Sequence, residues 1–420
     1  MLYKKIFIPL DNSKYSDYCE QLAISIAKKS NSELVGGHVY AASLHHKRFK
    51  EMEVGLPEKY KEESELKKQR EYHNSLIGRG LRMISDSYLD SLESKSKQEN
   101  IPFTRNIHEG KNYIELVKDI NSNDYDLVII GVRGLGEVEE NAIGSVCERV
   151  VRRINTDVLI VKDDKPLEGR VIVTVDGSEQ SFRAVEMASD LAVKYNLELE
   201  AVSVYDPHYH HVAFNGIAKI LSGEMGEVFK SDEQEKLHED VIDKGLEKIY
   251  QGHLESAFKK VIKSGIELKT TLLEGKPYHQ ILKYIDKVKP SLLVLGRTGI
   301  HAIDGLDLGS ATENILRNAN CNVLITKSRQ KVETNPFYQD EEIVKKEIIR
   351  EQQAEEQAVA TAAVSWTDDA NTLISKVPAF VRPMVVGEVE NYARTKGSSE
   401  ITKEIVEEVK SKWADSMNYS

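Results

Sequence analysis

Short strand-like segments, several of them apolar runs, recur between polar turns along the first three-quarters of the chain, near residues 5–10, 33–40, 103–108, 127–132 and 158–162. Each is five to eight residues long, and several are rich in β-branched side chains. This is the pattern of strands buried on both faces of a parallel sheet. Between them the apolar positions take helical spacing, as at Ala23, Ile26 and Ala27. Strands alternating with helices predict right-handed βαβ crossovers and an open, doubly wound α/β sheet. The series then repeats near 171–175, 198–205, 268–273, 292–296 and 323–327.

The repeat is in register. Asp11 and Asp176 are 165 residues apart, and the same offset carries Val39-Tyr40 to Val204-Tyr205, Glu109-Gly110-Lys111 to Glu274-Gly275-Lys276, and Tyr113 to Tyr278. A constant offset over two whole domains is the mark of a duplication. The expected architecture is two repeated doubly wound parallel five-stranded sheets, in domains at 1–164 and 168–329. Each copy carries a charged insert with a sparse apolar stripe, predicting an amphipathic helix over a sheet face: Leu76, Leu81, Ile84 and Leu89 in one, Leu237, Val241, Ile249 and Leu254 in the other.

Beyond the repeat, residues 330–365 are polar and read as a linker or helical arm. Residues 366–415 predict a small all-α module. In it a helix ends at Gly397, Ser398 or Ser399 caps a helix beginning at Ile401, and Pro378 and Pro383 break the region before.

Composition narrows the function. The 420 residues carry a formal net charge of -11, which argues against duplex nucleic acid or an anionic membrane as partner. The longest apolar runs fall far short of the roughly 18 residues of a spanning helix. Three scattered cysteines make no disulfide framework and suit a reducing cytoplasm.

The chemistry-bearing motif also occurs twice. Gly131-Val-Arg133-Gly134 is followed after nine residues by Gly144-Ser145, and Gly296-Arg297-Thr-Gly299 after nine residues by Gly309-Ser310. The first glycine closes a buried strand and the last pair opens a helix, at the sheet edge where α/β folds bind ligands. Glycines permit positive φ and close backbone approach, while a helix N-terminus offers unpaired N–H groups to phosphate. Arg133 and Arg297 are candidates to pair with phosphate. Neither motif has the GK[ST] ending of a Walker loop, and no HExxH, GxSxG or DFG-like set is present. Copy one carries Glu137, Glu139 and Glu140 in its loop, against Asp304 and Asp307 in copy two, so copy two is expected to be the tighter anion site.

Through these two motifs, the aspartates Asp11 and Asp176, and the runs ERVVRRINTDVLIVK and ENILRNANCNVLITK, residues 1–330 resemble the ATP-binding branch of the universal stress protein family. The resemblance implies an adenine nucleotide alpha hydrolase-like fold and a cytoplasmic regulatory or stress-response protein. It implies ATP, AMP or ADP as ligand, with Mg or Mn. Asp11 and Asp176 would lie near the adenosine, Val39 and Val204 would hold the adenine through backbone groups, and the glycine loops with Ser145 and Ser310 would hold phosphates. It implies little or no turnover, at most slow ATP hydrolysis or autophosphorylation. It also implies pairing of domains through the last strand, as an intramolecular pseudo-dimer and as a homodimer.

Two further features compete with that reading. His45-His46-x-x-Phe49 recurs as His210-His211-x-x-Phe214, with His208 nearby, and such clusters are weak metal-ligand candidates. Residues near 366–415, through Trp366, Leu373, Pro378, Phe380-Val381-Arg382, Glu390, Ala393-Arg394, Gly397 and Ile401-Thr402, resemble the small C-terminal domain of the light-independent protochlorophyllide reductase B subunit. This implies docking to a protein partner. Together they define the alternative, a metal- or cofactor-binding accessory factor for a redox or tetrapyrrole-related partner.

Overall fold

The structure, a computed structural model, describes residues 2–60, 62–136, 143–207, 244–302, 307–328, 365–375, 377, 382–396, 398 and 400–409. The chain divides into two compact units, Met1–Leu44 with Leu76–Val332, and His45–Ser75 with Glu333–Ser420.

Ten strands build the first unit: β1 (Lys5–Pro9), β2 (Glu33–Tyr40), β3 (Phe103–Glu109), β4 (Leu127–Gly131), β5 (Asp157–Val161), β6 (Arg170–Thr174), β7 (Glu198–Tyr205), β8 (Leu268–Glu274), β9 (Leu292–Gly296) and β10 (Asn322–Thr326). Their order is β3-β2-β1-β4-β5-β10-β9-β6-β7-β8. Each copy supplies five parallel strands. The copies join where β5 and β10 run antiparallel, with Leu159 opposite Leu324. The two expected sheets are therefore one sheet of ten strands. All five residues of β5 and of β10 are buried, as suits strands covered on both faces.

The helices that position the site are α1 (Lys14–Ser30), α4 (Asn112–Ser122) and α5 (Ser145–Arg153) in copy one, with α6 (Glu179–Tyr195), α8 (Pro277–Val288) and α9 (Ser310–Asn318) in copy two. Helices α2 (Ala42–Met52) and α3 (Glu63–Gln98) precede β3, and α7 (Lys244–Val261) precedes β8. Ser13 and Ser178 cap α1 and α6 by accepting from Ser16 N–H and Ser181 N–H. Asn31 and Asn196 end the same helices in the left-handed conformation, at φ 53° and 56°. Cap for cap, the duplication persists in local structure.

The seam between copies is polar at its rim. Arg152 of α5 lies 2.6 Å from Glu313 of α9, and Arg317 of α9 lies 2.5 Å from Glu148 of α5. Each arginine also reaches the glutamate one turn back in its own helix, at 3.4 and 3.0 Å. These four residues are two pairs at the 165-residue offset, so the network has the pseudo-twofold symmetry of the duplication. Beneath it, Lys162 Nζ donates to the carbonyls of Leu316 and Ala319 at 2.6 Å, closing the C-terminal end of α9.

The stripe expected for the copy-one insert is corrected. Of that stripe Leu89 is fully buried, but Leu76 and Ile84 are exposed, and Ser85, Leu92 and Ser96 complete the inward face of α3 with Leu89. In α7 the buried face is Leu254, Ala257 and Val261, while Ile249 is exposed. Leu237 and Val241 lie outside the described residues.

In the second unit, a core of Ala370, Ile374, Val389, Ala393, Ile401, Ile405, Val406 and Val409 gathers the helices Asp368–Ser375, Arg382–Thr395 and 403–409. The module is not purely helical. Ile401, expected to begin a helix, instead pairs with Trp366 in a two-stranded parallel ladder, and Thr367 N–H donates to the Ile401 carbonyl. Pro383 does not break the chain there, because it falls in the first turn of a helix, where a missing N–H is harmless. Pro378 and Gly397 lie outside the described residues.

Candidate functional site

Strand order creates two crevices. β1 lies between β2 and β4, and β6 between β7 and β9, so successive crossovers leave each central strand in opposite directions. The β1–β4 register is recorded only at Ile6–Leu127 and Phe7–Val128, while β4 continues to Gly131. The β1–β2 register ends at Pro9–Gly37, while β2 runs on to Tyr40. Past Phe7–Val128 the β1–β4 pairing stops while both strands continue, at the carboxyl ends where open α/β sheets take ligands.

Asp11 and Asp176 enter these crevices directly after β1 and β6. Asp11 Oδ1 accepts from Ser13 N–H at 3.1 Å and Ser16 Oγ at 2.9 Å, while Oδ2 accepts from Leu135 N–H at 3.1 Å. Asp176 Oδ1 accepts from Ser178 N–H at 3.0 Å and Ser178 Oγ at 2.6 Å, and its Oδ2 accepts from Ile300 N–H at 2.9 Å. Each aspartate thus ties the turn after the first strand to the glycine loop. A carboxylate oxygen has two acceptor positions. Among the described residues Oδ1 is filled in both copies, and Oδ2 keeps one position beyond its loop amide.

The glycines have packing reasons that differ from the expected one. Among those described at positive φ, none of Gly131, Gly134, Gly144, Gly296, Gly299 or Gly309 appears. Their requirement is close approach. A Cβ on Gly134 would stand 2.2 Å from Asp11 Oδ2, and one on Gly299 2.6 Å from Asp176 Oδ2. A Cβ on Gly131 would meet Tyr15 at 2.7 Å, and one on Gly296 the Gln180 backbone at 3.0 Å. Gly144 N–H bonds the Val132 carbonyl and Gly309 N–H the Arg297 carbonyl, folding each loop back on itself. Gly144 and Gly309 are also the N-caps of α5 and α9 and carry no side chain to cap them. The first-turn amides of those helices, beside Ser145 and Ser310, are therefore oriented toward the loop mouth. Positive φ belongs instead to Gly110 and Gly275, whose N–H groups bond the Tyr40 and Tyr205 carbonyls and so explain the repeated Glu-Gly-Lys.

The two arginines part company. Arg133 Nη1 bonds the Tyr15 hydroxyl at 3.3 Å and stays at the copy-one loop. Arg297 is 3% exposed and reaches across the seam, where Nη1 donates to the Val151 carbonyl at 2.8 Å. Burial pushes its guanidinium down to about 10. The phosphate expected as its partner is replaced by the C-terminal end of α5. Val39 and Val204 are buried side chains near the ends of β2 and β7, opposite His108 and Leu273.

Sequence reasoning overlooked a set of residues beside the two aspartates. His38 Nδ1 bonds the carbonyl of Leu10 at 2.6 Å, and Ser203 Oγ the carbonyl of Val175 at 2.7 Å. These carbonyls immediately precede the two aspartates. Tyr88 sits edge-on to His38, whereas its counterpart His253 packs against Gly177, where a Cβ would fall 2.3 Å from Nε2. Gly177 has φ +85°, so glycine is required there twice over. The offset of 165 pairs all four positions, which was the signal available.

Of the repeated histidines, the copy-one pair does not converge. His45 and His46 are adjacent in α2, so they point about 100° apart around the helix. His46 pairs with Asn74, and Phe49 stacks on His73 at 4.1 Å. His208, His210 and His211 lie outside the described residues. Among the described residues no group of three metal-ligating side chains could hold an ion, and no helix is long and apolar enough to cross a membrane.

Comparison with known proteins agrees with this architecture. Residues 2–162 and 169–327 each match the Universal stress protein family, and the chain belongs to that family. Residues 366–410 match the family described as Proto-chlorophyllide reductase 57 kD subunit. A universal stress protein of Methanocaldococcus jannaschii is 29% identical over 177 residues, covering 41% of this chain and 89% of that protein. One from Bacillus subtilis is 28% identical over 159 residues, covering 38% and 98%. A solved universal stress protein from Archaeoglobus fulgidus aligns with 77% of this chain and 98% of its own, at 18% identity and a TM-score of 0.49.

Proposed function

We propose that this universal stress protein binds an adenine nucleotide in each copy, ATP foremost, and acts in the cytoplasm as a regulatory stress-response protein with little or no turnover. One observation carries the reading. In both copies an aspartate, a glycine loop and an uncapped helix start meet at the crevice beside the first strand. The remaining acceptor position on Asp11 Oδ2 or Asp176 Oδ2 suits a ribose hydroxyl, and the amides beside Ser145 or Ser310 suit phosphate. A bound Mg or Mn would offset phosphate charge, and the serine hydroxyls are oxygen donors of the kind such ions take. Copy two is the tighter site: Asp307, one of its two loop acids, is engaged with Arg152 at 3.2 Å.

Calorimetric titration of the full chain with Mg-ATP tests this. Two binding events are expected, with Gly309→Val weakening the tighter one by about ten-fold or more and Gly144→Val the weaker. Equal losses refute the ranking. No affinity at millimolar ATP, with no nucleotide in the purified protein, refutes the function.

A further inference from the structure

The geometry points to positive coupling between the two nucleotide sites, carried by α5 from the copy-two glycine loop to the copy-one phosphate site; this rests on the reading above. α5 begins at Ser145, inside the copy-one site, and ends at Arg153 on the seam. Nine residues of helix span only about 13 Å. Its far end is bonded twice to the loop of copy two. Arg297, the residue after that loop's first glycine, donates to the Val151 carbonyl at 2.8 Å. Asp307, two residues before its last glycine, receives Arg152 at 3.2 Å.

Among the described residues this contact has no counterpart from the copy-one loop to α9. The positions matching Arg297 and Asp307 in copy one are Val132 and Ala142, which can form neither contact. The C-terminal end of α9 is held instead by Lys162, which follows β5 and lies outside the copy-one loop. Arg297 is also costly where it stands. Among the described residues its Nε and Nη2 have no partner, and a buried guanidinium with one bond is a poor way to fill space that Val132 fills without charge.

Coupling follows from shared order. A phosphate bound at Gly309-Ser310 fixes the copy-two loop, and with it Arg297 and Asp307. The cation held at the Val151 carbonyl then fixes α5 and complements the negative end of its dipole. A second nucleotide at Ser145 meets a helix already in place, so less ordering opposes its binding. Linkage makes the effect reciprocal.

Mg-ATP titration of the full chain and four variants tests this. Gly299→Val drives a side chain into Asp176 and blocks copy two; Gly134→Val blocks copy one in the same way. Copy-one affinity in Gly299→Val is expected to fall at least about five-fold below that of the second binding step in the unaltered chain, the lower end of ordinary allosteric coupling. Arg297→Leu should remove the difference while both sites still fill. Asp307→Asn, at an exposed position, should reduce it without disturbing the buried seam, and carries the test if Arg297→Leu folds poorly. Equal copy-one affinity with copy two open or blocked overturns the coupling alone, as does coupling undiminished in both contact variants. Absence of ATP binding in every form overturns the nucleotide reading and the coupling with it.

Discussion

Lys162 shows how a single residue is set by its surroundings. Lys162 is half-buried, its ammonium donates to two helix-end carbonyls, and desolvation lowers it to about 8. Unfolded, the same amine titrates near 10.5. Between these values the unfolded chain holds more protons, so this group's contribution to stability rises with pH from about 8 to about 10.5 and is lost as pH falls through that window. Lys162→Met should flatten that part of the profile relative to the unaltered chain, measured as the difference in thermal midpoint across pH 8 to 10; parallel profiles would show the amine is not desolvated. The repeat offset already picked out the site aspartates and loop glycines. It did not reveal why Gly134 and Gly299 are glycine, because the reason is a carboxylate arriving from 123 residues earlier, and only the fold brings the two together. Arg297 was misread for the same cause: a side chain's direction across a seam leaves no trace in a motif.

Elements were more legible than side-chain directions. All ten strands of the large sheet fall within a residue or two of the segments expected, and those buried on both faces are read from composition alone. Helices on the surface are read from phase, and phase failed in α3. Its apolar residues are so sparse that buried serines, Ser85 and Ser96, complete the inward face. Leu89→Ala, at a fully buried position, should cost about 2–5 kcal/mol in a denaturant titration, whereas Leu76→Ala, 71% exposed, should cost less than about 0.5 kcal/mol. Similar losses at both sites would restore the stripe first expected. The ladder of Trp366 and Ile401 escaped the sequence because two residues are too few to display a period of two.

At the scale of the whole molecule, duplication and fusion produce one sheet where two were expected. That the copies meet through their last strands was implied by the family resemblance, while the antiparallel sense of β5 and β10 and the ion network beside them needed the structure. Joining the copies through their last strands turns the two most apolar edges into the middle of the sheet and leaves β3 and β8, with half-exposed and charged positions, as its margins. That arrangement has a cost for any shortened form of the chain. Cleavage between the copies, or expression of residues 1–164 alone, bares Asp-Val-Leu-Ile-Val as an open edge with its row of free amides and carbonyls. Such an edge is adhesive. The fragment should elute as a dimer or larger species, and Leu159→Lys should return it to a monomer or leave it unfolded; a fragment that stays monomeric and folded without that change would show the edge to be harmless. In the intact chain each copy shields the other's last strand from every other strand it meets.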